Sequence, residues 1–318
     1  MRMRWYGIFG LLLIAAMVVW VWKRGEGKRV VVFPRPREAQ GQRLEGVKLK
    51  PKETPVSATH LEELTVEVSQ LVKVVIGQDD ATARRYGARS KAVWKLGEEL
   101  PEEAVTALLG YLRLTEDVLR EERVDALKND IINVLRTQRQ VSPELSETLI
   151  AMFDSKAYGV AMLDYCIQHL GALQEASQDA EERARIYACL QRAALVPGAS
   201  YAGTALIALV HTPGEDDEQR HFVNERVASL LYERDTHEAA RITATQIAAE
   251  RDYTELLPLI RSIVRDESLS ATQRVAAIGA LGLFRQREDV ALLEDVLSKK
   301  ENVRLRPAVE AAIKRIEK

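Results

Sequence analysis

Residues 274–297 read RVAAIGALGLFRQREDVALLEDVL, and the way this stretch divides decides the fold. Its first part, as far as Phe284, has a helical period with small residues at Ala276, Ala277, Gly279 and Ala280, which let a neighbouring helix approach closely. The polar run RQRE breaks the pattern, and DVALLEDVL starts a second helical period whose leucines fill the space between layers. Two short helices joined by so short a break must fold back on each other, because neither is long enough to stand alone in water.

Working outward, the same design recurs from about His60 to the end of the chain: helical periods separated by short breaks carrying Gly, Pro, Asp or Ser. The breaks fall near residues 77–80, 98–101, 114–117, 140–143, 154–155, 173–179, 197–198, 212–217, 235–236, 251–252, 266–270, 285–288 and 298–302. They delimit about fourteen helices, with no convincing strand between them. Short loops make successive helices antiparallel, and stacked helical hairpins are the simplest way to bury their apolar faces. Residues 58–318 are therefore expected to be one helical repeat domain.

An internal period supports the stacking. Arg274, Ala276, Ala277, Ala280 and Leu281 line up with Arg306, Ala308 and Ala312 at a shift of 32, and Arg241 lines up with Arg274 at a shift of 33. Weaker copies begin at Arg183 and Arg84. These segments resemble HEAT repeats, in which a helix reading V-R-x-x-A-x-x-A-L alternates with one reading A-L-x-x-L-x-x-x-L. The resemblance is clear over the last hundred residues and rests on helix length and loop rhythm over residues 60–230. It implies an all-α, right-handed α-solenoid of antiparallel helical hairpins: a curved scaffold with a binding surface, no chemistry of its own and no cofactor. The tetratricopeptide signature is missing.

The amino terminus is of a different kind. Between MRMR and KRGEGKR, residues 5–22 carry no charge, about the length that crosses a hydrocarbon core of roughly 30 Å. Leucine, isoleucine and valine point all round such a helix, and Trp5, Tyr6, Trp20 and Trp22 sit at its two ends, where amphipathic rings favour headgroups. We read residues 1–22 as a retained transmembrane anchor that holds the protein in lipid. A cleaved signal peptide is the competing reading, but the apolar core is long and no small-x-small site precedes Lys23. Residues 23–57, with Pro34, Pro36, Pro51 and Pro55 among scattered charges, read as a semi-rigid tether, with VVVF at 30–33 as one short strand. A lone amino-terminal anchor ordinarily carries its domain outward, which places the repeats on the extracytoplasmic, periplasmic side. The basic flank at Lys23, Arg24, Lys28, Arg29, Arg35 and Arg37 favours the cytoplasm instead.

Candidate chemistry is sparse. A formal net charge of −2 over 318 residues argues against a dedicated nucleic-acid binder. Cys166 and Cys189 lie about equally far from a loop near residue 177, so in an antiparallel hairpin they come to the same height, either as core thiols or as a disulfide. His169 adds a third soft ligand beside them, but zinc wants a fourth, so no metal site is expected. His60, His211, His221 and His237 sit near helix ends and pair with no nucleophile motif. The loop HTPGEDDEQRH at 211–221 lacks the alternating ligands of a calcium loop and reads as a solvated helix start. Trp94, Tyr111, Tyr165, Tyr187, Tyr201 and Tyr232 fall at helical spacing and read as core. No phosphate-binding, nucleophile-elbow or zinc-protease motif occurs. The expected function is a membrane-anchored scaffold that binds a protein partner without catalysis. The alternative is a peripheral, lyase-like enzyme or ligand carrier built on the same repeats.

Overall fold

Fourteen α-helices and two short 3₁₀ turns make up the regular structure of a computed structural model that describes residues 58–212, 214 and 216–318; no strand occurs among them. In chain order they are α1 (Ala58–Val75), α2 (Tyr86–Val93), α3 (Glu102–Leu112), α4 (Glu121–Arg136), α5 (Glu144–Ser155), α6 (Val160–Ala176) and α7 (Ala180–Ala194). There follow α8 (Tyr201–Val210), α9 (Asp217–Tyr232), α10 (Glu238–Glu250), α11 (Leu257–Arg265), α12 (Ala271–Phe284), α13 (Asp289–Ser298) and α14 (Arg306–Ile316). All belong to one unit, Val56–Lys318. The anchor, with Trp5, Tyr6, Trp20 and Trp22, and the tether at 23–57 lie outside the described residues. Among the described residues no helix is long and apolar enough to cross a membrane.

Local chemistry sets the helix ends. Asp179 caps α7 by accepting from the amides of Glu181 and Glu182, while Asp216 with Gln219 and Ser270 with Gln273 form capping boxes at α9 and α12. Gly77 follows α1 at φ +77°, a left-handed conformation that costs glycine nothing. Within the 211–221 loop, Asp216 is thus the cap of α9, and Asp217 and Glu218 lie in its first turn, where the helix dipole favours acids.

Packing runs between helices one or two places apart in sequence, as stacked hairpins require. The even-numbered helices form an unbroken row from α2 to α14, whereas the odd row packs closely only from α1 to α7. Small residues draw the even row together. A Cβ added at Gly171 would lie 2.6 Å from that of Ala208, one at Gly203 would lie 2.9 Å from the Ala240 Cα, and one at Gly282 would lie 3.0 Å from the Ala312 Cα. A continuous apolar core runs between the rows from Val72 to Ile316.

A cation ties each of several hairpins shut, buried at Arg89, Lys128 and Arg274 and half-buried at Arg241. Arg89 Nε donates to the Val75 carbonyl at the end of α1, 2.8 Å away, and Arg274 Nε does the same to Val264 at the end of α11, 3.0 Å away. Lys128 Nζ reaches the carbonyls of Leu112, at 3.0 Å, and Leu114 after α3, and Arg241 Nη2 reaches that of Glu233 after α9 at 2.6 Å. Each satisfies last-turn carbonyls that have no partner within their own helix. Arg241 and Arg274 both stand fourth in their helices, which gives the 33-residue shift a physical meaning. Arg306 departs from it. The 3₁₀ turn Lys300–Leu305 delays the start of α14, so Arg306 stands first in the helix, exposed and 3.7 Å from Glu310.

Ala277, Ala280, Leu281 and Ala312 are buried, while Ala276 and Ala308 are partly exposed. Two aromatic expectations need correction. Tyr111 is buried and Tyr165, Tyr187 and Tyr201 pack against the core, but Trp94 and Tyr232 are 60% and 65% exposed. Both stand at helix ends, where side chains on the last turn are no longer covered by the next hairpin.

Candidate interaction surface

Among the described elements the even helices pack in an unbroken row from α2 to α14, so their surfaces follow one another along the array. On α2, Tyr86, Ser90 and Trp94 follow at four-residue steps and so share one stripe. The Ser90 hydroxyl donates to Asp130 on α4 at 3.3 Å, which sets the two stripes side by side. On α6, Asp164 accepts from Ser200 at 2.8 Å and from Thr204 at 2.6 Å, carrying the same surface on to α8. Tyr165 stands beside Asp164, and its phenol is pushed up by burial and then by the carboxylates of Asp125, Asp164 and Asp130.

Among the described residues no ion pair involves Asp125, Asp130 or Asp164. Burial raises the Asp125 carboxyl, Glu121 and Glu122 add to the shift, and Lys128 opposes it. Burial also raises Asp130, against the bond from Ser90. Lys128 does not neutralise them, because its ammonium is turned inward to the α3 carbonyls, over the Tyr158 ring at 4.7 Å. Burial draws it down to about 8.

Below this surface the other sequence candidates are core groups. Cys166 on α6 and Cys189 on α7 are free, fully buried thiols, and desolvation pushes each up to about 12. His169 is 4% exposed with Nε2 3.0 Å from Asn129 Oδ1, and burial, then Arg136, lowers it to about 3. It is a neutral imidazole between α4 and α6. No group of three or more metal-ligating side chains occurs among the described residues.

A second, shallow feature lies on the odd row. Because α11 and α13 do not close on each other, a groove of about 470 Å³ opens between them, lined by Arg261, Glu288, Asp289, Leu292 and Asp295 among others. Arg261 spans it, with Nε 2.5 Å from Asp289 and Nη2 2.5 Å from Glu288. The second oxygen of Asp289 is buried without a partner.

The even-face stripe and the capping cations escaped the sequence reading. Arg89 and Lys128 bond carbonyls 14 and 16 residues upstream, and a carbonyl leaves no mark in a sequence. The four-residue stripe at Tyr86, Ser90 and Trp94 was the available signal for the surface. No family model and no curated protein matches this chain. Among solved structures, human deoxyhypusine hydroxylase in complex with glycerol aligns over 82% of this chain and 99% of its own, at 14% identity and a TM-score of 0.33.

Proposed function

We propose that this chain is a membrane-tethered helical-repeat scaffold, a right-handed α-solenoid of the HEAT kind that binds a protein partner along its even-helix face without catalysis. The observation that carries the reading is the unbroken even row from α2 to α14, in which each even helix packs on the next. Repeat arrays of this construction use such a continuous face for partners, since each hairpin adds a strip of surface in register with the last. Residues 1–22 fix the scaffold in lipid and residues 23–57 set its distance from the bilayer. We place the array on the extracytoplasmic side.

Photo-crosslinkers at Gln168, exposed on the even helix α6, and at Glu147, exposed on the odd helix α5, test this in the full-length chain in its own cells. The expected result is one stoichiometric adduct from Gln168 and none from Glu147. Equal capture at both, or none at either, removes the scaffold reading. Two reporters fused in turn after Lys318, one active only outside the cytoplasm and one only inside it, decide the side of the membrane.

The alternative, a peripheral enzyme or ligand carrier, has the groove between α11 and α13 in its favour, with its buried, half-satisfied Asp289. A small molecule retained through purification and lost on Asp289→Asn would favour that reading.

A further inference from the structure

The first three even helices present an exposed face that combines aromatic rings with carboxylates. Trp94 is 60% exposed at the end of the α2 stripe, with Tyr86 and Ser90 behind it. Half-buried carboxylates follow on α4, where Asp130 accepts from Ser90 and Asp125 stands five residues earlier, and on α6, where Asp164 beside Tyr165 accepts from Ser200 and Thr204. Trp94 is the ring open to water, with Tyr86 and Tyr165 half-buried against the core, and a large ring left exposed beside charge marks a surface that is covered when a partner arrives. The charge of the domain points the same way: residues 58–318 hold 43 Asp and Glu against 33 Lys and Arg.

We infer that this face docks an extended Lys- or Arg-bearing segment of a partner protein. Its cations sit against Asp125, Asp130 and Asp164, and its aliphatic stems and cationic heads lie across Trp94, Tyr86 and Tyr165. The inference rests on the scaffold reading and adds the chemistry of the occupant. A cation entering here meets carboxylates held by no ion pair among the described residues, Asp130 and Asp164 accepting from hydroxyl donors, so no salt bridge has to be broken to bind it. Spacing adds a constraint. Adjacent helices pack about 8–10 Å apart, and three residues of extended polyproline-type chain span about 9 Å, so a cation at every third residue meets one even helix after another.

The test uses the full chain in detergent micelles with Trp5, Trp20 and Trp22 changed to phenylalanine, which leaves Trp94 as its one tryptophan. The probe is a twelve-residue peptide with lysine at every third position, compared with the same peptide carrying acetyl-lysine. The lysine peptide is expected to shift Trp94 emission to shorter wavelength and to bind at least about tenfold more tightly than its acetylated form. Asp125→Asn with Asp130→Asn and Asp164→Asn should weaken it by about tenfold or more, and Trp94→Ala, read by the anisotropy of a fluorescein-labelled peptide because the tryptophan is gone, by about tenfold. Should the triple variant fail to fold, Asp130→Asn and Trp94→Ala alone carry the comparison, each with its melting curve.

No emission shift up to about 1 mM peptide, or equal binding of both peptides, overturns the inference. Adducts from Gln168 to a partner segment without basic residues overturn the cationic occupant and leave the scaffold standing. Loss of all Gln168 adducts removes the scaffold itself.

Discussion

Arg89 and Asp117 form a buried two-bond fork, Nη1 to Oδ1 and Nη2 to Oδ2, both 2.9 Å, with side-chain exposures of 0% and 6%. The same arginine holds the α1 carbonyl of Val75, so one side chain joins the first hairpin to the loop that opens the next. At the other end of the array Arg274 repeats the geometry, holding Val264 of its own hairpin and Asn302 of the following loop. In both cases the partner in the following loop lies 28 residues on, so the same connection from hairpin to loop occurs near both ends of the array. Arg89, Tyr111 and the Leu119 amide all bond Asp117, which holds its carboxyl below the usual carboxylate value despite its burial.

Removing Arg89 should therefore cost more than its packing. Arg89→Met leaves a buried carboxylate without its cation and the Val75 and Ala83 carbonyls without a donor. A loss of about 3–5 kcal/mol is expected in denaturant unfolding. Arg89→Lys should recover little, because an ammonium cannot hold Asp117 with two bonds and still reach Val75. A lysine variant as stable as the native chain would show that the fork does not matter.

Acid should weaken the array through His169. In the unfolded chain an imidazole titrates near 6.5, and in the folded chain this one is held at about 3. Between those values the unfolded state binds more protons, so stability is complete above about 6.5 and is lost as pH falls. The loss is about 1.4 kcal/mol per pH unit from this residue. His169→Gln should keep a bond to Asn129 and flatten the acid limb between pH 6 and about 4 relative to the native chain. Parallel limbs would mean that His169 is solvated.

The helices were legible in the sequence because their breaks carry residues that act on the backbone directly, such as Gly77, Asp179, Asp216 and Ser270. The hairpins followed from loop length alone. The candidate surface was not legible, because whether a stripe such as Tyr86, Ser90 and Trp94 faces core or water depends on which neighbour covers it, and α2 is only eight residues long. The alanine register misled at Arg306, where a 3₁₀ turn inserted before α14 changes which residue faces the preceding carbonyls.

Two glycines on the even helices should respond to alanine in opposite directions. Gly203 lies against the Ala240 backbone, with 2.9 Å between the added Cβ and that Cα, and backbone cannot swing aside. Gly203→Ala should destabilise by about 1–3 kcal/mol. Gly279 in α12 is exposed and has nothing within 4 Å of an added Cβ, so Gly279→Ala should stabilise by about 0.5–1 kcal/mol through helix propensity and loss of unfolded-state freedom. Thermal melts of the pair decide it, and equal shifts would mean that the close approach of α8 to α10 is not constrained.

Truncation tests whether the hairpins depend on one another. Deleting residues 271–318 removes α12, which covers α10, and bares a helix whose Ala240, Ala244, Ile247 and Ala248 are buried in the intact chain. On α14 Glu310, Ala311 and Lys314 are exposed, whereas the side of α10 bared by the deletion is formed by those alanines and Ile247. The truncated chain should aggregate or bind a hydrophobic dye strongly, and its remaining helices should melt at lower temperature. Replacing the deletion with a single polar substitution on the exposed side of α14, such as Ala311→Ser, should do neither. A monomeric truncation with the melt of the full chain would mean that each hairpin folds by itself, and the shared core between the two rows would then be a packing coincidence rather than the source of stability.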